Sequence, residues 1–285
     1  MLNLPLSLLS DDLLVSVVEY IAKLPSKDEN LCNLSLADRA FTRSCQKYIF
    51  QNLKFNSSRK IAKRLNEAKI FLHEKPLFAN HIRMVELLIS RNRSWVLDDY
   101  ALISILQLLS KSPIPPHELH FGGHNFSGRI FYSFKIKDPI LVVRRFAQSF
   151  FSQTLTILRL KECKNVPLPL FLISPRLREV SLDRVGATEQ SYDKFPDSQH
   201  FGREAPPLEV LDYRNSHSLV KLMLTPPPRF NTPVVLWSNL RVLTLAPRDK
   251  EGIACLQAIL NAACNTVKEL YLTGTDMDEC KRNIF

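Results

Sequence analysis

The sequence predicts an α/β protein in which a short three-helix module precedes a curved solenoid of stacked units with a parallel sheet on its concave side. Two observations lead to this architecture. Apolar residues in the first part of the chain recur with the 3.6-residue period of helices. Further along, a pattern of alternating leucines returns at intervals of 22 to 32 residues. Such a repeat is typical of units that bury their apolar faces by stacking on one another.

The composition is typical of a globular protein. The chain has 285 residues, of which 45% are hydrophobic and 23% charged, so it is too apolar to be disordered. No run approaches the roughly 18–20 apolar residues that a membrane span needs, and the leucine-rich start lacks the basic leading segment of a secretory signal. Six cysteines are scattered without the close pairs of a zinc site. We therefore expect reduced thiols, no membrane association and a cytoplasmic or nuclear location.

The formal net charge of +10 leaves nucleic-acid binding open as an alternative function. The densest basic stretch, Arg59 to Arg64, lies in a helix-like segment with these apolar positions: Ile61, Leu65, Ile70 and Leu72. A solvated helix face accounts for this stretch. Elsewhere lysine and arginine are mixed with acidic residues, so the charge is a weak indication and nucleic acid is not the partner we expect.

A first helix is predicted just after Ser10, which is placed to cap it. Its apolar residues fall at i, i+1, i+4, i+5 and i+8, which is one face of a helix: Leu13, Leu14, Val17, Val18 and Ile21. Asp11 and Asp12 put negative charge at the positive end of the helix. Pro25 then stops it.

Two more short helices follow. The second is predicted from Glu29 to Leu36, with these leucines facing inward: Leu31, Leu34 and Leu36. Asp38 is placed to cap the third helix. Its inner face has the spacing i, i+4, i+7, i+8: Phe41, Cys45, Tyr48 and Ile49. Three helices in about fifty residues form a marginal core, so we expect the module to pack against something else.

Three segments of this region resemble the F-box, a short helical motif. Leu9 to Ile21 is similar to its opening helix, although Ser10 stands where a proline is expected. Leu31 to Phe41 is similar to its second half, although Phe41 replaces the commoner tryptophan. Tyr48 to Leu53 matches the closing segment of many fungal members.

The resemblance implies that the module binds a Skp-type adaptor and, through it, a cullin. The candidate adaptor-binding residues are those that match apolar positions of the motif: Leu9, Leu13, Leu14, Val17, Val18, Leu34 and Ala37. Some of them must instead form the core between the helices, and the sequence does not divide the two groups. Periodicity alone also allows the helices to be a cap on the following domain.

The pattern Leu-x-x-Leu-x-Leu-x-x-Asn/Cys recurs along the rest of the chain. The best copy runs from Leu155 to Cys163. The clear copies begin at positions 155, 177, 208, 240 and 267, which are 22, 31, 32 and 27 residues apart. Weaker copies contain these residues: Ile82, Val85 and Leu87, then Leu119, Phe121 and His124. The pattern resembles irregular leucine-rich repeats.

The pattern has a direct physical reason. In each copy a short strand points its alternating leucines into a shared core, while the intervening residues face solvent. The Asn or Cys position satisfies backbone groups where the chain turns. Helices on the convex side are predicted for two segments between strands, Tyr100 to Leu109 and Ile253 to Ala263. The predicted organisation is therefore an F-box-like module over 1–55, a helical linker over 56–80 and a repeat array over 81–285.

Catalytic motifs are poorly represented. His117, His120 and His124 cluster in the sequence, but Gly122 and Gly123 break any helix that would align two of them as zinc ligands. No nucleophile elbow, phosphate-binding loop or dinucleotide fingerprint occurs. We expect a protein without catalytic residues, metal or cofactor.

An F-box-like segment followed by irregular repeats resembles the large F-box families of basidiomycete fungi. The resemblance implies a non-catalytic substrate-recognition subunit of an SCF-type cullin–RING ubiquitin ligase, whose concave face binds a client protein. Candidate client-binding residues are solvent-facing strand positions: Arg159, Arg178, Asp212, Arg241, Glu269 and Tyr271. A repeat scaffold unconnected to ubiquitin remains the alternative.

The end of the sequence suggests an open edge. After the last copy, Val267 to Leu272, the tail is polar and then closes on Ile284 and Phe285. A solenoid normally shields its terminal core edge with a polar-faced cap. We therefore expect an interrupted repeat with an exposed edge, through which the chain self-associates unless it is a truncated relative of longer proteins.

Overall fold

A computed structural model describes residues 10–56, 60–89, 99–123, 134–135, 143, 149–187, 205–225, 233–247 and 249–273. Leu9, His124 and the tail from 274 to 285 lie outside these residues, as does Arg59 of the basic stretch. No helix in the described ranges is both long and apolar enough to cross a bilayer.

The three predicted helices are present at the start of the chain. They are α1 (Asp11–Ile21), α2 (Lys27–Ala37) and α3 (Arg39–Ile49). Asp38 caps α3 as expected, because its Oδ1 accepts the N–H of Ala40 at 2.9 Å. Ser10 precedes α1 but makes no side-chain capping bond. The buried residues form a small core of their own: Leu14, Val18, Leu31, Phe41 and Cys45.

One parallel sheet dominates the remaining described chain. Its strands, in spatial order, are β1 (Asn52–Asn56), β2 (Met84–Ile89), β3 (Glu118–Gly123), β5 (Ile157–Lys161), β7 (Glu179–Asp183), β8 (Val210–Arg214), β9 (Val242–Leu245) and β10 (Glu269–Leu272). The short strands β4 (Phe134–Lys135) and β6 (Cys163–Lys164) form a separate parallel pair. Since consecutive strands of the large sheet are neighbours, the chain adds its units in sequence order.

The inward residues of the strands lie side by side across the sheet. One row consists of Leu53, Val85, Leu119, Leu158, Val180, Leu211, Leu243 and Leu270. The next consists of Phe55, Leu87, Phe121, Leu160, Leu182, Tyr213, Leu245 and Leu272. From β2 to β9 both rows are buried. The prediction that the alternating apolar residues share one core is confirmed for these strands.

Helices cover the core side of the sheet. They are α4 (Ile61–Glu74), α5 (Tyr100–Ser110), α6 (Pro169–Leu172), α7 (His217–Leu224) and α8 (Lys250–Ala262), with 3-10 helices at Pro76–His81 and Trp237–Asn239. Most of their buried apolar residues belong to the same cluster as the strand leucines. The predicted helices near 100–109 and 253–263 correspond to α5 and α8, whereas α6 and α7 were not predicted.

The sheet begins earlier than the predicted boundary at residue 81. Strand β1 pairs with β2 from Asn52 to Asn56, because Leu53 and Phe55 continue the inward rows. The segment predicted as a linker, 56–80, contains α4, and its Ile61 and Leu65 are buried in the main core. Helix α4 therefore packs against the sheet. Ile70, expected to be an apolar inward position of this helix, is exposed.

The chain leaves three of the strands through the same turn. Glu162, Arg184 and Asn215 follow β5, β7 and β8, and each has a positive φ between 50° and 55°. The next residue is buried in every case: Cys163, Val185 and Ser216. This is the predicted Asn/Cys position of the repeat pattern.

Polar side chains at this position satisfy backbone groups, as predicted. The Oγ of Ser216 accepts the N–H of Val185 at 2.9 Å and lies within hydrogen-bonding distance of the Arg214 carbonyl. The thiol of Cys163 donates to the Lys161 carbonyl at 3.3 Å. Burial raises the pKa of the Cys163 thiol to about 12, so it stays protonated and remains a donor.

Replacing Ser216 with alanine should lower the free energy of unfolding by about 1–3 kcal/mol, since the buried N–H of Val185 loses its acceptor. Urea denaturation measures the change. Ser238→Ala, at an exposed serine, is the matched control and should be nearly neutral. Equal stabilities of the two variants would contradict this role of Ser216.

Candidate protein-binding surfaces

Helix α1 presents an apolar stripe to solvent. Leu13, Val17 and Tyr20 are spaced i, i+4, i+7, and they are 55%, 40% and 68% exposed. These three residues are called the α1 stripe below. Exposed apolar residues that lie together on one side of a helix are typical of surfaces that bind another protein.

The structure divides the predicted adaptor-binding residues into two groups. Leu14 and Val18 are buried in the helical core, so they are not available to a partner in this conformation. Leu13 and Val17 are exposed, Leu34 is partly buried and Ala37 is exposed. Tyr20 was not among the predicted contacts, although its i+7 spacing from Leu13 would have indicated it.

Leu36 was expected to face inward and is instead 85% exposed. At 3.6 residues per turn it lies about 140° around α2 from the buried Leu31. Leu34 lies about 60° from Leu31 and packs against the helical core. The expectation for Leu36 was therefore wrong, because its five-residue spacing from Leu31 puts it away from the buried face of α2.

The sheet presents its other face to solvent, and a row of mostly polar residues crosses it. Neighbouring strands place these residues side by side: Lys54, Glu86, His120, Arg159, Ser181, Asp212, Thr244 and Tyr271. They are called the polar row. Three of the predicted client-binding residues, Arg159, Asp212 and Tyr271, belong to this row. Glu269 lies beside it on the same face of β10, two residues from Tyr271.

Ion pairs connect the middle of the polar row. Arg159 donates to Oε1 of Glu118 at 3.0 Å and to Oε1 of Glu179 at 2.8 Å. His120 Nε2 lies 2.6 Å from the same oxygen of Glu118. Hydrogen bonds from His120 and Arg159 outweigh burial and hold the pKa of Glu118 below its usual value. Four charged or titratable side chains thus form one network across β3, β5 and β7.

The outer parts of the face carry single pairs of side chains instead of a network. Lys54 lies 2.8 Å from Glu86 at one end. The hydroxyl of Tyr271 donates to Glu269 at 2.6 Å at the other end. Lys161, on β5, adds an exposed positive charge to the same face. The face therefore has mixed charge, which suits a protein better than a polyanion.

A depression of about 260 Å³ lies in the middle of this face. Its charged and titratable lining residues are Glu86, His120, Arg159, Lys161, Asp183, Asp212 and Arg214. Strands β3 and β5 approach closely beneath it, so that a Cβ at Gly122 would overlap the Lys161 carbonyl oxygen. Gly122 therefore permits the close pairing that brings these side chains together.

Two predicted client-binding residues, Arg178 and Arg241, lie along the rim of the sheet instead of on its strands. Each directly precedes a strand, so it falls outside the alternation that fixes the polar row. Backbone bonds link the rim positions in order, with Glu209 N–H donating to Arg178 and Arg241 N–H to Glu209. Arg178 also lies 3.4 Å from the Glu209 carboxylate. Both arginines are exposed.

Nothing in the described ranges groups three His, Cys, Asp or Glu side chains as a metal ion would require. His120 contacts Glu118. His117 lies on the rim, and its backbone N–H donates to the Arg83 carbonyl. The α1 stripe therefore offers apolar area to a partner, and the polar face of the sheet offers charged side chains.

No protein-family model matches this chain, and no curated protein is similar enough to count as a relative.

Replacing His120 with alanine should raise the pKa of Glu118, because the side chain that most lowers this pKa is lost. Arg159→Gln should raise it less. NMR titration of the Glu118 carboxyl carbon measures both shifts. An unchanged Glu118 pKa in His120→Ala would contradict this account.

The depressed pKa of Glu118 also affects stability. Its contribution is present above the unfolded-state pKa of about 4.3 and is lost as the pH falls through the lower folded-state value. His120→Ala should therefore make the unfolding free energy less dependent on pH below about 4.3 than it is in the unmodified protein.

Proposed function

We propose that this protein is a substrate-recognition subunit of an SCF-type cullin–RING ubiquitin ligase. The observation that carries the proposal is the α1 stripe, which leaves apolar side chains exposed on the segment that resembles the opening helix of the F-box. The stripe would bind a Skp-type adaptor. The sheet would belong to an irregular leucine-rich-repeat solenoid and hold the client.

The energetics of the helical module support an adaptor. Five of the described residues form its buried core, and a core this small contributes little stability by itself. Burying Leu13, Val17 and Tyr20 against a partner would add apolar contact area on the same helix. At about 25 cal/mol per Å² of apolar surface, such burial stabilises both the helix and the complex.

The polar face supports a protein client over nucleic acid. Glu118, Glu179 and Glu269 lie on the same face as Arg159 and Lys161, and the acids would repel phosphates. A protein segment with both kinds of charge can pair with such a surface. The proposed mechanism has no bond chemistry, since the subunit raises the effective concentration of client lysines near a charged ubiquitin-conjugating enzyme.

A repeat scaffold unconnected to ubiquitin would use the polar face in the same way, so only adaptor binding separates it from the proposal. Nucleic-acid binding is separated by salt. Affinity for a DNA or RNA duplex that depends on phosphate contacts should fall steeply between low and physiological salt. Affinity for the adaptor, which depends on apolar burial, should change little.

In the double variant Leu13→Asp, Val17→Asp, the free energy of adaptor binding should be less favourable by roughly 2 kcal/mol or more. The reason is that the two carboxylates would be buried at the interface without a partner. Calorimetric titration of the purified chain with a Skp-type adaptor measures the loss. Both residues are exposed in the free chain, so its thermal unfolding should be nearly unchanged.

Val15→Asp is the matched control. Val15 is 39% exposed on the same helix, about 160° around the axis from Leu13. It should bind the adaptor normally. Normal binding of the double variant, or equal losses in both variants, would contradict docking through the α1 stripe.

A further inference from the structure

The last strand of the sheet leaves its inward leucines uncovered. Leu270 and Leu272 are in register with Leu243 and Leu245, which are 0% exposed, yet they are themselves 44% and 59% exposed. Within the described part of the chain, strand β10 lies at one edge of the sheet and no strand pairs with its outer side. An apolar strand with a free edge is a template for pairing with another strand.

The opposite edge of the sheet differs. In β1 the inward Phe55 is buried and Leu53 is partly buried. A second copy that joined its β1 to β10 would therefore meet an edge whose apolar residues are already covered. Head-to-tail pairing would also continue into an open filament. These observations favour contact between two equivalent β10 edges.

The backbone of β10 fixes which residues can pair across such a contact. Glu269 and Thr273 donate their N–H groups to the Arg241 and Leu245 carbonyls of the β9 side, at 3.0 and 2.9 Å. Because these groups alternate along a strand, Leu270 and Leu272 direct theirs toward the free edge. In an antiparallel pair, each residue that directs its N–H and C=O toward the partner strand must stand opposite another that does so. A two-fold axis that passed between two residues of β10 would break this match. The axis must therefore pass through a residue.

The side chains decide between the two central residues. A two-fold axis perpendicular to the sheet at Leu270 would place the charged Lys268 opposite Leu272 on the core side. An axis at Tyr271 places Leu270 opposite Leu272 on the core side. On the polar face it places Tyr271 opposite itself and Glu269 opposite Thr273, so no like charges meet. Aromatic and apolar cross-strand pairs of this kind stabilise antiparallel strands.

We propose that two copies of this chain pair their β10 strands in antiparallel orientation about Tyr271. The contact would continue one sheet through both copies and cover Leu270 and Leu272 of each. The two polar faces would lie on the same side of the joined sheet. The inference does not depend on the ligase proposal, because the α1 stripe lies on a different element.

Disulfide trapping tests the register. Tyr271→Cys would place two sulfurs at a non-hydrogen-bonded pair with a Cα separation of about 4.5 Å, which permits a disulfide. Glu269→Cys is the matched control on the same face, and its two copies would be about 14 Å apart. In a background with Cys32, Cys264 and Cys280 replaced by serine, mild oxidation should link the Tyr271→Cys chains and leave the Glu269→Cys chains unlinked.

Sedimentation equilibrium of the full chain tests the association itself. The unmodified protein should sediment with twice the chain mass, and the double variant Leu270→Lys, Leu272→Lys should sediment as a single chain. Ile253→Lys, an equally drastic change at an exposed residue of α8, should remain dimeric. A monomeric unmodified chain, or trapping through Glu269→Cys in place of Tyr271→Cys, would overturn the proposal.

Discussion

Each strand of the large sheet places alternating apolar side chains beside their counterparts on the neighbouring strands, and no strand could bury them alone. The parallel register therefore determines almost everything else. It forces the chain to turn at the same place after β5, β7 and β8, where Cys163 and Ser216 satisfy the backbone. It also aligns the intervening residues into the polar row, because the two faces of a strand are linked by the period of two.

The helical module obeys a different constraint, since its small core is separate from that of the sheet. The two parts meet at Phe50, which follows α3. Its ring packs 4.5 Å from that of Phe78 and 6.0 Å from that of Phe71. These aromatic contacts connect the end of α3 to α4 and the adjacent 3-10 helix. In a ligase subunit, such a junction would hold the adaptor and the client at a defined separation.

Much of this fold could be predicted from spacing. The helical periods of residues 13–21 and 41–49 and the leucine copies from 82 to 245 correspond to the helices and buried strands. Strand β1 was missed because it offers only Leu53 and Phe55, too few for a pattern. The division of α1 into buried Leu14 and Val18 and exposed Leu13 and Val17 was also beyond the sequence, because neighbouring apolar residues fit one helical face equally well.

The polar surface was predicted only in part for a similar reason. Alternation identified Arg159, Asp212, Glu269 and Tyr271. Arg178 and Arg241 do not fit it, because each stands two residues before an inward residue, Val180 or Leu243, and both precede their strands and lie on the rim. The network of Glu118, His120 and Arg159 joins residues 41 positions apart in sequence. Such contacts depend on which strands are neighbours, which no local pattern specifies.

Hydrogen exchange of the chain with and without a saturating Skp-type adaptor tests the two-part account most directly. The account predicts new protection within α1, around Leu13, Val17 and Tyr20, and no change in strands β5 to β9. Unchanged exchange in α1, or protection concentrated on the sheet, would contradict it.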